Sequence, residues 1–207
     1  MADHPIFAAL YDRMCAPAEA AGLADARRRL LEGATGRVLE VGGGTGHNLP
    51  YYHSADEVVV IEPDGAMRRR LEPRLEQCPV PARVVAAGID DADLEPASFD
   101  SVVSTLTLCT VPDLGRALIR IRCLLAPDGK LLFLEHVRAT GLRGRMQHGL
   151  TPLWSRLVPG CHLDREVTAG LRGAGFVVSR CDRLDLPMGP LLAVGVAGEA
   201  RARAVAA

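Results

Sequence analysis

Lysine is almost missing from this 207-residue chain; Lys130 is the only one. A phosphate-binding loop of the G-x-x-x-x-G-K-[ST] kind needs a lysine beside its glycines and is excluded. Paired cysteines are missing as well. Cys15, Cys78, Cys109, Cys123, Cys161 and Cys181 are spread along the chain without a C-x-x-C pair. That spacing argues against a secreted disulfide scaffold and against zinc ligands at short spacing, so no metal ligand is assigned. Charge of one sign is not in surplus, since 24 Lys and Arg face 25 Asp and Glu. The basic footprint of non-specific nucleic-acid binding is therefore absent. No apolar run reaches the ~18 residues that a membrane span needs. Asp3 stands where a secretory signal would carry positive charge. Together these absences predict a cytoplasmic protein whose partner is a small molecule, with no nucleic acid and no membrane span.

What is present reads as one α/β domain over residues 1–207, with an N-terminal helical lid at 1–32. Hydrophobic residues make up 48% of the chain, enough for a sizeable core. Residues 17–32 carry Leu23, Ala26, Leu30 and Leu31 at helical spacing. Short strands are predicted at 37–41, 57–62, 83–87, 100–105 and 130–135, with helices at 64–76, capped by Asp64, and at 113–125. Such alternation builds a parallel sheet covered on both faces. The Arg- and Gly-rich stretch 138–163 breaks the rhythm and reads as an irregular, acceptor-side insertion. A helix at 164–173, capped by Asp164, and strands at 176–183 and 191–196 complete the pattern. With no crossover helix between them, the last two strands pair antiparallel. The result is a doubly wound, mostly parallel seven-stranded sheet with an antiparallel C-terminal strand pair. The tail from residue 199 reads as frayed, and Arg27–Arg29 and Arg68–Arg70 as solvated helix faces.

The most informative stretch is Glu40-Val41-Gly42-Gly43-Gly44-Thr45-Gly46-His47-Asn48. Glycines directly after a strand give a turn that a ligand can approach without meeting a Cβ, and such loops sit where parallel sheets bind ligands. The dinucleotide pattern G-x-G-x-x-G fails in both registers, because His47 and Leu49 occupy its third glycine. An acid just before the loop repels a pyrophosphate but attracts an ammonium group, which points to an amino-acid-bearing nucleoside. Glu62 closes the next strand 22 residues after Glu40, close to the ~20 at which an acid receives ribose hydroxyls in dinucleotide folds.

This constellation resembles the class I S-adenosylmethionine-dependent methyltransferases over about residues 37–137. The resemblance implies a Rossmann-like fold and S-adenosylmethionine as cofactor. It implies that Gly42, Gly43, Gly44 and Gly46 line the methionine end, with Glu40 supporting the loop. Glu62 then holds the ribose, Pro63 and Met67 flank the adenine, and Gly88-Ile89-Asp90 contact its edge. Thr105, at the end of the fourth strand, joins the same set. Many relatives have aspartate directly after the glycine of that later loop; here Ile89 intervenes. Leu125-Ala126-Pro127-Asp128-Gly129 resembles the family's L-x-P-G-G turn, with Asp128 in place of glycine.

Thr107-Leu108-Cys109, Glu135-His136-Val137, Pro152-x-Trp154 and Gly160-Cys161-x-Leu163-x-Arg165-Glu166 resemble the methyltransferase-like 7 group. These are small-molecule thiol S-methyltransferases and soluble bacterial relatives of unassigned substrate. The resemblance favours methyl transfer to a small apolar thiol. O-, N- or C-methylation is the near alternative; a nucleotide-dependent oxidoreductase and a non-catalytic cofactor-binding module are the distant ones. Methyl transfer from a sulfonium is an in-line displacement in which alignment carries most of the rate. An alcohol or phenol wants a general base, whereas a thiol near pKa 8.5 needs little help. His136 is the candidate base, although a strand-end histidine bonded to backbone fits the same position. Cys109 is the second catalytic candidate. Tyr11, His148, Trp154 and His162 are candidates for the acceptor side, with Leu150, Leu153 and Leu157 as an apolar lid.

Overall fold

The computed structural model describes residues 3–203. Its framework is a seven-stranded sheet: β1 (Gly36–Val41), β2 (Ala55–Ile61), β3 (Ala82–Val85), β4 (Phe99–Thr105), β5 (Leu125–His136), β6 (Phe176–Asp185) and β7 (Val194–Ala202). The spatial order is β3-β2-β1-β4-β5-β7-β6. Only β7 runs against its neighbours, pairing antiparallel with both β5 and β6. The sheet class and the antiparallel C-terminal pair agree with the sequence reading.

Alternate residues of each central strand feed two separate cores, as the two-residue period of a strand requires. Leu39, Val41, Val59, Val102, Leu131 and Phe133 pack on one face, under α4 (Leu114–Leu124) and α6 (Val167–Gly173). Val38, Val58, Val60, Val103, Leu132 and Leu134 pack on the other, with Leu30 and Leu31 of α2 (Ala24–Leu31). Such strands are buried on both sides, which explains their nearly continuous apolar runs. The chain reverses direction across the sheet between β1 and β4, and this opens a crevice at their carboxyl ends.

Several expected elements differ. The helix predicted over 17–32 is interrupted: α1 (Pro5–Ala18) ends in a π-helical turn, Glu19–Leu23, before α2. Gly22 causes the break, with φ of +121°, a value that side-chain-bearing residues rarely adopt. α3 (Gly65–Leu71) is capped by Asp64, whose carboxylate accepts from Ala66 N–H and Met67 N–H, and it tightens into a 3₁₀ turn at Glu72–Gln77, which carries Pro73. The stretch read as irregular is largely one helix, α5 (Gly141–Leu157), hidden in the sequence by its glycines and Pro152. Asp164 does not cap α6; its carboxylate pairs with His148 Nδ1 (2.6 Å) and accepts from Thr151 Oγ1 (3.2 Å) instead. Nor is the tail frayed from residue 199, because Glu199–Ala202 belong to β7, between two partner strands. Residues 204–207 lie outside the described region.

Candidate active site

A cleft of about 920 Å³ opens at the switch point, walled by the ends of β1, β2 and β4, the turns after them, α1 and the exit of α5. The glycine turn after β1 is pinned from below, since Gly42 N–H and Gly43 N–H both donate to Ile61 O (2.9 and 3.2 Å). A Cβ on Gly42 would strike Thr107 at 2.4 Å, and one on Gly43 would strike Val60 at 2.2 Å. Gly44 differs, because a Cβ there would meet nothing within 4 Å. Its bare backbone, at φ of +56°, faces open space.

Glu62 follows β2 and lies beside this turn. Its carboxylate accepts from Gly44 N–H (2.8 Å) and Asp64 N–H (2.8 Å), one oxygen each. Burial pushes its pKa up against these two donors. Each oxygen keeps a further lone pair for an incoming hydroxyl. Pro63, Met67, Gly88, Ile89 and Asp90 line the same cleft, and Gly88 lies beside Pro63, to whose Cβ a Cβ on Gly88 would stand 4.0 Å away.

Glu40 sits deeper and both its oxygens are used, one by Asn48 Nδ2 (2.8 Å), the other by the Tyr52 hydroxyl (2.9 Å). Burial drives its pKa up to about 7, against those hydrogen bonds. Asn48 in turn reaches Thr105 Oγ1 (2.8 Å) and accepts from Arg27 Nη1 (3.0 Å), which also donates to Thr105 (2.9 Å). Arg27 is therefore no solvated residue. It is 3% exposed and its Nε pairs with Glu19 (3.1 Å). Arg28 and Arg29 face outward as expected. Sequence reasoning missed Arg27 because it stands in a run of three arginines, where one helical position in three turns inward.

α1 lies across the cleft mouth. Phe7 and Tyr11 line it and pack with Met67. Asp12 accepts from Thr45 Oγ1 (2.6 Å) and pairs with Arg74, while His47 bridges Asp12 (3.0 Å) and Glu19 (3.2 Å). The helix is thus buckled to the glycine turn; the sequence placed Thr45 and His47 in that loop but gave no sign of Asp12, Glu19 and Arg74 as their partners. Beyond β4, Leu106 holds φ of +55°. Glu135 secures this turn, one oxygen accepting from Ser104 Oγ (2.7 Å), Thr107 N–H (3.1 Å) and Leu108 N–H (3.0 Å).

The expected residues fall into two groups. Glu40, Gly42, Gly43, Gly44, Glu62, Pro63, Met67, Gly88, Ile89, Asp90, Thr105 and Tyr11 all line this one cleft. Gly46 stays behind it and closes the turn by donating to Gly43 O (2.9 Å). His136, Cys109, His148, Trp154 and His162 do not line it. His136 and Cys109 are buried beneath the wall, where His136 Nε2 lies 3.2 Å from Cys161 Sγ. Contact with the neighbouring Cys109 thiol, then with His136, draws the Cys161 thiol down to about 5 despite burial. Leu150, Leu153 and Leu157 face outward and form no lid; from α5 and its exit, Ser155, Arg156, Pro159 and Gly160 reach the cleft instead.

Residues 39–133 match the methyltransferase domain family. The chain is 34% identical over 172 residues to the human thiol S-methyltransferase TMT1B, covering 77% of this chain and 70% of that one. It is 33% identical over 156 residues to human TMT1A, covering 73% and 64%, so it spans about two thirds of these relatives' length. Among solved structures, Burkholderia thailandensis 1,6-didemethyltoxoflavin-N1-methyltransferase with bound S-adenosylhomocysteine superposes with a TM-score of 0.63. That match is at 22% identity and covers 87% of this chain and 78% of that one. With a switch-point cleft edged by glycines and a carboxylate, and with these relatives, the chain belongs to the class I S-adenosylmethionine-dependent methyltransferases, and S-adenosylmethionine is its methyl donor.

Proposed function

We propose that the enzyme methylates the sulfur of a small, apolar thiol. The observation that carries the donor half is the Glu62 carboxylate, held by Gly44 N–H and Asp64 N–H beside a glycine whose Cβ direction is empty. These features fit the donor. Glu62 accepts the two ribose hydroxyls, Pro63 and Met67 flank the adenine, and Gly88, Ile89 and Asp90 contact its edge. Gly42, Gly43, Gly44 and Thr105 border the methionine end. Glu40, with both oxygens engaged by Asn48 and Tyr52, shapes the turn rather than gripping the ammonium directly.

When bound, S-adenosylmethionine supplies a methyl group already activated on a sulfonium. The protein's share is to orient an acceptor against it and to keep water out. Phe7 and Tyr11 from α1, and Thr107, Thr110, Val111, Pro112 and Gly160 opposite them, offer a mixed apolar and hydroxyl surface for that purpose. No histidine from the end of β5 reaches this space, since His136 is walled off. A thiol, which reaches its thiolate near neutral pH without a strong base, suits such a site better than an alcohol. The names of the human relatives support the same acceptor class.

The test is a product assay with S-adenosylmethionine against a panel of apolar thiols, phenols and amines. We expect S-adenosylhomocysteine with thiols, at a rate that follows the acceptor's thiolate fraction as pH rises. Turnover of phenols or amines with none of thiols would overturn the acceptor assignment. Among the described residues no helix is long and apolar enough to cross a membrane, and the acceptor is read as arriving from water.

A further inference from the structure

We propose that Cys109, His136 and Cys161 are the protein ligands of a zinc(II) ion seated beneath the acceptor end of the cleft. Their two sulfurs and one imidazole nitrogen all lie within 4.8 Å of one another. All three side chains are buried. Three separate segments deliver them: the turn after β4, the last residue of β5, and the chain leaving α5. Ligands 27 and 25 residues apart in sequence escape any search for short-spaced pairs, which is why composition alone pointed away from a metal.

The donor set matches the ion. Zinc takes thiolate at about 2.3 Å and imidazole nitrogen at about 2.0–2.1 Å, so tetrahedral donors stand about 3.5–3.8 Å apart. The observed 3.2 Å between His136 Nε2 and Cys161 Sγ and the 4.8 Å outer limit bracket that spacing, within reach of small side-chain adjustments. Charge closes as well. Two thiolates with a neutral imidazole leave the zinc centre uncharged, and whatever protons the three side chains still hold beyond that state leave to solvent as the ion binds. A neutral centre suits its surroundings, which are Leu163 and Leu192 with Trp154 and Val158 packed against them. Without a cation the same groups are poorly satisfied. A single Cys109 S–H must choose between Leu106 O (3.5 Å) and Cys161.

Three protein ligands leave zinc's fourth position to a water or another small exogenous ligand. The ion would also brace the cleft. Thr110 and Gly160, each adjacent in sequence to a ligand, line the acceptor end, and His162 N–H already bonds Cys109 O (2.9 Å) across the same junction. Zinc would make that junction of three chain segments rigid.

The test is metal binding by the purified 207-residue chain under reducing conditions, read without any methyl transfer. Incubation with zinc followed by desalting and elemental analysis should give one zinc per chain. Cobalt(II) in its place should show sulfur-to-cobalt charge-transfer absorption and tetrahedral ligand-field bands. Cys161→Ser and His136→Ala should each weaken zinc binding more than about tenfold while still binding S-adenosylhomocysteine, which reports an intact donor cleft. The wild-type cobalt spectrum decides the matter even where a variant folds poorly. No retained zinc, a cobalt protein without the charge-transfer band, or a Cys109–Cys161 disulfide that forms without metal uptake would each overturn the site.

Discussion

Two glycines and two carboxylates show how much a single residue decides in this cleft, and how differently. Gly43 is required by its neighbours, because a Cβ there collides with Val60. Gly44 meets no neighbour with its Cβ direction, and the fold asks for glycine there only through its left-handed backbone. Gly44→Ala therefore costs the fold only the left-handed backbone penalty of about 1–2 kcal/mol, while its methyl intrudes where the donor is expected. Glu62→Gln acts on the same spot from the other side, since an amide NH₂ replaces an oxygen that now faces a backbone N–H donor. Each change should weaken S-adenosylhomocysteine binding by about 10- to 100-fold, from the ~1.5–3 kcal/mol of a hydrogen bond to a charged group. Titration calorimetry on folded variants reads this directly, and unchanged affinity in both would remove the donor site.

Glu40 carries a pH signature of its own. Its folded pKa of about 7 lies above the ordinary 4.5 because the carboxyl is buried. Between those values the folded protein keeps a proton that the unfolded chain has released. The stabilisation is fully present below about pH 4.5 and is lost as pH rises through 7. Glu62 and Glu135, also raised by burial, tilt the curve the same way, so the difference from Glu40→Gln isolates one group. The wild-type melting temperature should fall relative to the variant between pH 5 and pH 8; a flat difference would show Glu40 ionised throughout.

At the scale of elements, what could be read in advance was whatever has a period. β1, β2, β4 and β5 announce themselves as apolar runs, and α4 by its buried face of Ala117, Leu118, Ile121 and Leu124. α5 was illegible because Gly141, Gly144, Gly149 and Pro152 interrupt its sequence, while Gln147 and Thr151 are what it buries. The buckle between α1 and the glycine turn was illegible for another reason: Asp12, Thr45, His47 and Arg74 are ordinary surface residue types until tertiary structure joins them. Arg27 is the clearest instance, a cation drawn inside to tie α2 to Asn48 and Thr105. Arg27→Met should cost about 3 kcal/mol, the scale of removing one partner of a buried ionic network. Urea unfolding would show this as a lower midpoint at constant slope. An unchanged midpoint would mean that Glu19, Asn48 and Thr105 are satisfied without it.

The whole molecule depends on its last strand. β7 enters the sheet between β5 and β6, so within the sheet β6 pairs with the rest only through residues 194–202. Ala200 is fully buried there, opposite Leu131 and Val178. The sequence around it, Gly198-Glu199-Ala200-Arg201-Ala202, lacks the β-branched run that marks a strand, and only long-range pairing makes it one. The close approach is sharpest at Gly198, where an added Cβ would lie 2.0 Å from Arg180 O and 2.9 Å from Phe133 Cζ. β6 has a register shift between Val178 and Arg180, next to this contact. The obstructing atom is backbone, so no rotamer change relieves it, and Gly198→Ala should destabilise by about 3 kcal/mol, the upper part of the usual overpacking range. Because no residue of β7 lines the cleft, the fraction that stays folded should bind S-adenosylhomocysteine with wild-type affinity. Gly44→Ala should do the opposite, keeping most of the stability and losing the ligand. Thermal melts and calorimetry on the pair separate the two demands the fold places on glycine: a melting temperature for Gly198→Ala equal to wild type would mean that β7 is not held at the spacing seen here.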